Sequence, residues 1–374
     1  MITGSGNVIK AAWNDEKPSL PNIPAQLSLS PEAFHVIRIS PDDLDAAVQK
    51  IEQEIESYGH EHELIADYTG GTKTMTAAMV LASLDQRVQL YLVKGARADL
   101  KKVVDGTQCC SRAVVDRVRF DREFRNHLQP WKRFAYGESA SGLAAMDIPA
   151  DSTIQDRHNM ARSLSDAFDA WDRFDHHKAR RLLMAYRTQT ARLYSPYIRT
   201  LDALCGEHEP AKSEGARIHD LWLNALRCAA ASRYDDAISR VYRIIEWVAQ
   251  WVLRTRCNVD TSDLPGEFIP EHIRIFPNHS GKIQAPLHKA WELVACKTQG
   301  PAQQFIEANK DDLRTPLGIR NGSILAHGFT PVTRQDWLNV ETWMEEKLIL
   351  VFREELKRTG LKKVCPQLPN EYVW

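Results

Sequence analysis

Apolar residues recur at three- and four-residue intervals through nearly all of the chain beyond residue 160, and that spacing commits the stretch to packed helices. Leu164, Phe168, Trp171 and Phe174 form one stripe. Leu221, Leu226, Tyr234, Ile238, Val241, Tyr242, Ile245, Val248 and Val252 form a second, and Trp337, Val340, Met344, Leu348 and Val351 a third. Each is read as the core-facing side of a helix. The segment from Asp263 to Gly281 carries Pro and Gly, breaks the pattern, and is expected to be an inserted loop.

The first third of the chain reads as α/β. Ser40 as N-cap, Pro41 at the first helical position and Asp42 and Asp43 in the first turn open a helix. Leu44, Val48, Ile51 and Ile55 continue it at helical spacing to about Tyr58-Gly59. His35 to Ile39, His62 to Asp67 and Val88 to Val93 are short, apolar-rich segments that alternate with helices, which predicts a parallel sheet covered on both faces. Between residues 118 and 160 the pattern loosens, and the small polar run Tyr136 to Gly142 is expected to be a loop. The expected organisation is an α/β domain over 1–117, a connecting region over 118–160 and an all-α domain over 161–374.

Two segments carry chemistry. His62 to Asp67 as a strand, Thr69-Gly70-Gly71-Thr72-Lys73-Thr74 as a tight loop and Met75 to Leu84 as an Ala-rich helix make a strand, glycine loop and helix unit. Its backbone amides and helix N-terminus suit an anion. It is no Walker loop, because Thr72 and Asp67 stand where that motif needs glycines. The second segment is Ile319 to Gly328. If it is one helix, the seven positions from Arg320 to His327 span almost two turns, so a guanidinium and an imidazole share a face with Asn321 beside them. A permanent cation beside a group that titrates near neutrality suits phosphodiester cleavage without a metal.

Together these segments resemble one family. Asp67 to Met75, Lys94-Gly95-Ala96-Arg97 and Val104-Asp105-Gly106-Thr107 look like the CARF domain of CRISPR-associated effectors. Arg233 to Glu246, followed by Arg320-Asn321 and, after five residues, His327, is similar to the HEPN ribonuclease domain fused to it. The whole resembles the CARF-HEPN ribonucleases of type III CRISPR systems. That resemblance implies a Rossmann-like CARF sheet followed by a helical HEPN domain. It also implies a cyclic oligoadenylate activator at Ser5, Thr69, Gly70, Gly71, Thr72 and Lys73, and a single-stranded RNA substrate at Arg320, Asn321 and His327. It implies a homodimer with a composite catalytic site. In such enzymes the ribose 2′-hydroxyl attacks the adjacent phosphorus and leaves a 2′,3′-cyclic phosphate and a 5′-hydroxyl. His327 would move the proton, Arg320 hold the phosphate, and Asn321 fix the phosphate or the imidazole. Against the family pattern, only 34 residues precede the strand at His35, with Met1 to Gly6 resembling the tail of a strand and its loop. The first CARF strand is therefore expected to be missing and activator binding by this chain to be weak.

Composition narrows the alternatives. A formal net charge of −1 confines any RNA contact to a local patch. Seven cysteines without a CxxC pair, no secretory signal and no long apolar run predict a soluble cytoplasmic protein with reduced thiols. His60-Glu61-His62 and His176-His177 have the wrong spacing for metal ligands on one helix face, so no metal or cofactor is expected, and His176 and His177 are read as a surface cluster with Asp172 and Asp175. Glu246 could orient Arg320 or His327, or pair with Arg243 or Arg254. The competing function is a catalytically silent cyclic-nucleotide-sensing regulator or partner-binding scaffold; a CARF half that also degrades the ring is a third possibility.

Overall fold

The computed structural model describes residues 2–3, 28, 30–33, 35, 37–40, 42–59, 62–86, 88–97, 104, 106–325, 328–361 and 365–373. The chain divides into two compact units, Met1–Glu123 and Phe124–Trp374.

The first unit is α/β. Strand β1 (Ile2–Thr3) pairs parallel with β2 (Ile37–Arg38). Helix α1 (Leu44–Ser57) follows, then β3 (Ile65–Asp67), α2 (Lys73–Asp85), β4 (Gln89–Lys94) and β5 (Cys109–Arg112). β3 and β4 run parallel, as the alternation of strands and helices predicts, whereas β5 adds to β4 antiparallel. The described strands thus form a small mixed arrangement, not one parallel sheet. Helices cover it incompletely, since Ile65 on β3 is 62% exposed. Ile37, Ile39, Ala47, Ile51, Ala78 and Ala82 make the apolar core of this unit. Helix α1 starts three residues later than expected: Asp43, and not Ser40, is the N-cap, its carboxylate accepting from the Ala46 amide at 3.0 Å.

Helix α3 (Asp116–Leu128) crosses the division between the units. In the first unit its Arg119 donates to the Ser83 carbonyl at 3.0 Å and its Arg122 pairs with Asp85 at 2.8 Å, which fastens it to α2.

The second unit is helical. A short 3-10 turn (Gln129–Arg133) leads into α4 (Tyr136–Ala144), α5 (Ser152–Asp172), α6 (His176–Ala185), α7 (Arg187–Leu204), α8 (Pro210–Ala230) and α9 (Tyr234–Cys257). After an irregular stretch come α10 (Leu287–Lys297), α11 (Pro301–Asn309), α12 (Arg314–Gly322) and α13 (Arg334–Trp343). A π turn (Met344–Ile349) and α14 (Leu350–Arg358) complete the unit. The expected loop at Tyr136 to Gly142 is helix α4. Its small residues permit close packing: a Cβ on Gly137 would sit 2.6 Å from an Asp169 carboxylate oxygen, and one on Gly142 would collide with the His127 ring. Low side-chain volume here marks a helix contact, not a turn.

Two apolar cores hold this unit. One gathers Trp131, Tyr136, Leu164, Phe168, Trp171 and Leu201 under the C-terminal tail; the tail is fixed by Tyr136 and Tyr197, whose hydroxyls donate to the carbonyls of Pro369 at 2.7 Å and Gln367 at 3.1 Å. The other surrounds α9, where Val241, Ile244, Ile245, Val248 and Val252 face Trp222, Trp291, Phe305, Trp337 and Phe352. Each such side chain contributes about 1.5–3 kcal/mol on burial. The stretch after α9 is anchored, with Leu264 and Ile273 both buried and the Leu264 amide donating to the Ile283 carbonyl at 2.8 Å. Among the described residues no helix is long and apolar enough to cross a membrane.

Candidate functional site

In the α/β unit the glycine loop lies where β3 ends, beside the end of β4. Asp67, the last residue of β3, accepts from the amide of Thr69 at 2.8 Å and from its hydroxyl, and the same hydroxyl accepts from the Val93 amide at 2.7 Å. The loop is thereby tied to the carboxyl end of β4, next to Lys94. Gly71 adopts φ +113, which L side chains rarely tolerate, so glycine is required there. Thr72 caps α2 by accepting from the Met75 amide at 3.2 Å. Gly70, Gly71, Thr72 and Lys73 are exposed, and among the described residues Lys73 has no ion-pair partner. The first amides of α2, at Lys73 and Thr74, have no intrahelical acceptor. Two expected ligand residues, Thr69 and Thr72, therefore use their hydroxyls to build the loop. The neighbouring motif segments also meet: the Ala96 amide donates to the Thr107 hydroxyl at 3.0 Å, and the Val104 amide to the Ala96 carbonyl at 2.8 Å. Ser5 lies outside the described residues.

In the helical unit the expected single helix through Arg320 and His327 is not formed. α12 ends at Gly322, because Ser323 directs both its amide, at 3.0 Å, and its hydroxyl, at 2.8 Å, to the Arg320 carbonyl. Ser323 is buried, and the chain then doubles back: the Gly328 amide donates to the Ser323 carbonyl at 3.1 Å and the Thr330 amide to the Gly322 carbonyl at 3.3 Å. A Cβ on Gly328 would collide with the Gly322 carbonyl, so this return needs glycine. His327 lies outside the described residues. Arg320 and Asn321 occupy the last turn of α12, and the argument from a shared helical face does not hold.

Arg320 is held in place by two contacts. Its guanidinium carbon lies 4.4 Å from the centroid of the Tyr242 ring on α9, and one of its N–H groups donates to the Asn321 side-chain carbonyl at 3.1 Å. Sequence reasoning assigned Tyr242 to the core stripe; it is half-buried, and its ring seats the guanidinium. Asp235, in the first turn of α9, accepts from the Val332 amide at 3.2 Å, which fixes the exit of the loop, and Thr333 with Asp336 closes a capping box at the start of α13. No periodicity reveals these roles, because each depends on which element lies opposite. Glu246 is paired with Arg243 at 2.6 Å; Arg254 is bonded instead to Glu214.

His176 is not part of a surface cluster. It is mostly buried against Trp171 and bonded to Asp220 at 3.1 Å, while Asp172 receives the buried Arg227 at 2.6 Å and Asp175 caps α6. These residues cross-link α5, α6 and α8.

A family model for the Csm6 HEPN domain matches residues 208–350, which includes α8, α9, α12, the returning loop and α13. No curated protein matches the sequence. Among solved structures, the Csm6 of Enterococcus italicus bound to cyclic hexa-2′-fluoro-hexa-dAMP aligns with 96% of this chain and 89% of its own, at 12% identity and a TM-score of 0.47. Residues 208–350 are thus similar to the HEPN domain of Csm6, and with an α/β unit ahead of it the chain resembles the CARF-HEPN effectors of type III CRISPR systems.

Proposed function

We propose that this chain is a CRISPR-associated, single-stranded RNA endoribonuclease that acts without a metal in antiviral defence and is switched on by a cyclic oligoadenylate at the glycine loop. The observation that carries the reading is the Csm6-type HEPN match spanning Arg320, Asn321 and His327, together with the Tyr242 seat that presents the Arg320 guanidinium at the end of α12. The ribose 2′-hydroxyl attacks the adjacent phosphorus, the 5′-oxygen leaves with a proton, and a 2′,3′-cyclic phosphate remains. Arg320 neutralises the charge that grows on the nonbridging oxygens, Asn321 holds the guanidinium in register, and His327 transfers the proton. One chain supplies one such set, and two chains complete the site. All seven cysteines are free, which agrees with action in a reducing cytoplasm.

His327→Ala is expected to reduce cleavage of a fluorogenic RNA by roughly 10²- to 10⁴-fold with the melting temperature unchanged, and EDTA to leave the wild type active. Full activity in the variant, or loss in EDTA, sinks the mechanism. The sensing half is tested separately. Lys73→Ala is expected to raise the cyclic oligoadenylate concentration for half-maximal activation while basal cleavage persists, because Lys73 belongs to the glycine loop of the α/β unit and has no part in the cleavage step. An unchanged half-maximal concentration moves the activator elsewhere.

A further inference from the structure

A cleft of about 560 Å³ opens in the helical unit between the end of α3, the 3-10 turn after it, α5 and the C-terminal tail. It shares no residue with the Arg320 site. Arg125 on α3, Lys132 in the turn and Arg157 on α5 all line it. Glu371 is the one carboxylate among the lining residues, against three cations. On a chain whose formal charge is −1, that is a concentration of positive charge.

The wall beneath is aromatic. Phe124 and Tyr372 also line the cleft, their rings edge to face at 6.1 Å, and the Arg157 guanidinium carbon lies 4.3 Å from the Phe124 centroid. Stacking on the ring holds the planar guanidinium in one orientation, which favours directed bonding to phosphate oxygens. The volume falls within the ~300–1,000 Å³ usual for small-molecule sites. Three cations beside the half-buried Tyr372 ring match a ligand that has a phosphate at one end and a flat base at the other.

We propose that this cleft binds the terminal phosphate and base of a nucleotide, supplied either as a free mononucleotide or as the phosphorylated end of a strand. The site stands or falls independently of ribonuclease activity. The test is calorimetry on the full chain with AMP, adenosine, and a short DNA strand with or without a 5′-phosphate, the DNA lacking the 2′-hydroxyl that cleavage needs. AMP is expected to bind at least about 10-fold more tightly than adenosine, as loss of a charge-assisted phosphate contact implies. Lys132→Ala, at an exposed position, and Arg157→Ala are each expected to weaken AMP by about 10-fold. All titrations are made in a Lys73→Ala background, which removes the cation of the glycine loop and leaves this cleft intact. Phosphorylated DNA binding as tightly as AMP identifies strand ends as the ligand, and AMP binding alone identifies the free nucleotide. The proposal is overturned if neither AMP nor phosphorylated DNA binds, if adenosine equals AMP, or if Lys132→Ala and Arg157→Ala, both folded by their melting curves, bind as the Lys73→Ala parent does.

Discussion

In the proposed mechanism, Arg320 is placed before the substrate arrives. A free arginine side chain loses rotamer freedom of about 2 kcal/mol when it is fixed on a phosphate, and stacking on Tyr242 removes part of that cost in advance. The contact uses the ring face, so Tyr242→Phe is expected to keep RNA cleavage near the wild-type rate. Tyr242→Ala is expected to slow it by about 2- to 30-fold, the range of a cation–π contact worth ~0.5–2 kcal/mol. Equal rates for both variants under single-turnover conditions would show that the ring does not position the guanidinium. At this scale the sequence was legible for residue types and not for partners. Arg320 and Asn321 stood out as phosphate-binding chemistry, but Tyr242 shares the spacing of the buried stripe on α9 and was indistinguishable from it. Glu246 could be weighed only as a set of pairings, and the structure leaves it with its neighbour Arg243.

At the scale of elements, periodicity found the helices and missed how they end. Arg320 and His327 have helical spacing, yet α12 stops at Gly322 because Ser323 captures the Arg320 carbonyl and the chain returns to bond Gly328. Competition for one carbonyl leaves no mark on a hydrophobic pattern. α4 was missed for the converse reason, since its glycines answer to Asp169 and His127 on neighbouring helices. The α8 and α14 pair shows a further consequence of packing. His219 on α8 is 2% exposed, neither ring nitrogen has a hydrogen-bond partner among the described residues, and burial, aided by the Arg353 charge and opposed by Asp220, depresses its pKa to about 4. The folded state therefore binds this proton less readily than the unfolded chain, whose histidine titrates near 6.5. Its contribution to stability is complete above about pH 6.5 and is lost as pH falls toward 4, by up to about 3 kcal/mol. Urea midpoints measured from pH 7 to 4.5 are expected to fall steeply in the wild type and less in His219→Met. Parallel falls in the two proteins would assign the acid sensitivity to other groups.

For the whole molecule, the surface around the candidate site is the informative part. The loop that follows Arg320 exposes Ile324, Leu325 and Phe329 by 55%, 53% and 95%, although hydrogen bonds at both ends hold its backbone. Apolar side chains on a fixed loop beside a lone Arg-Asn pair are costly in water unless another surface covers them. In the proposed two-fold dimer, pairing of this patch with its own copy would cover these residues and bring the second Arg320 and Asn321 toward the first. The order of an α/β unit before a helical one was legible because strand-helix alternation and a 3.6-residue period are properties of the sequence itself; the antiparallel β5 was not, since strand direction is set by pairing. Activity is therefore expected to depend on association. Leu325→Glu with Phe329→Glu is expected to keep the melting temperature, to give a monomer by light scattering at micromolar concentration, and to reduce RNA cleavage by at least about 100-fold, comparable to losing a positioned catalytic group. The wild type is expected to lose specific activity on dilution as dimers dissociate. A wild-type monomer whose specific activity is independent of concentration would place the complete catalytic set within one chain and leave the apolar loop for another partner.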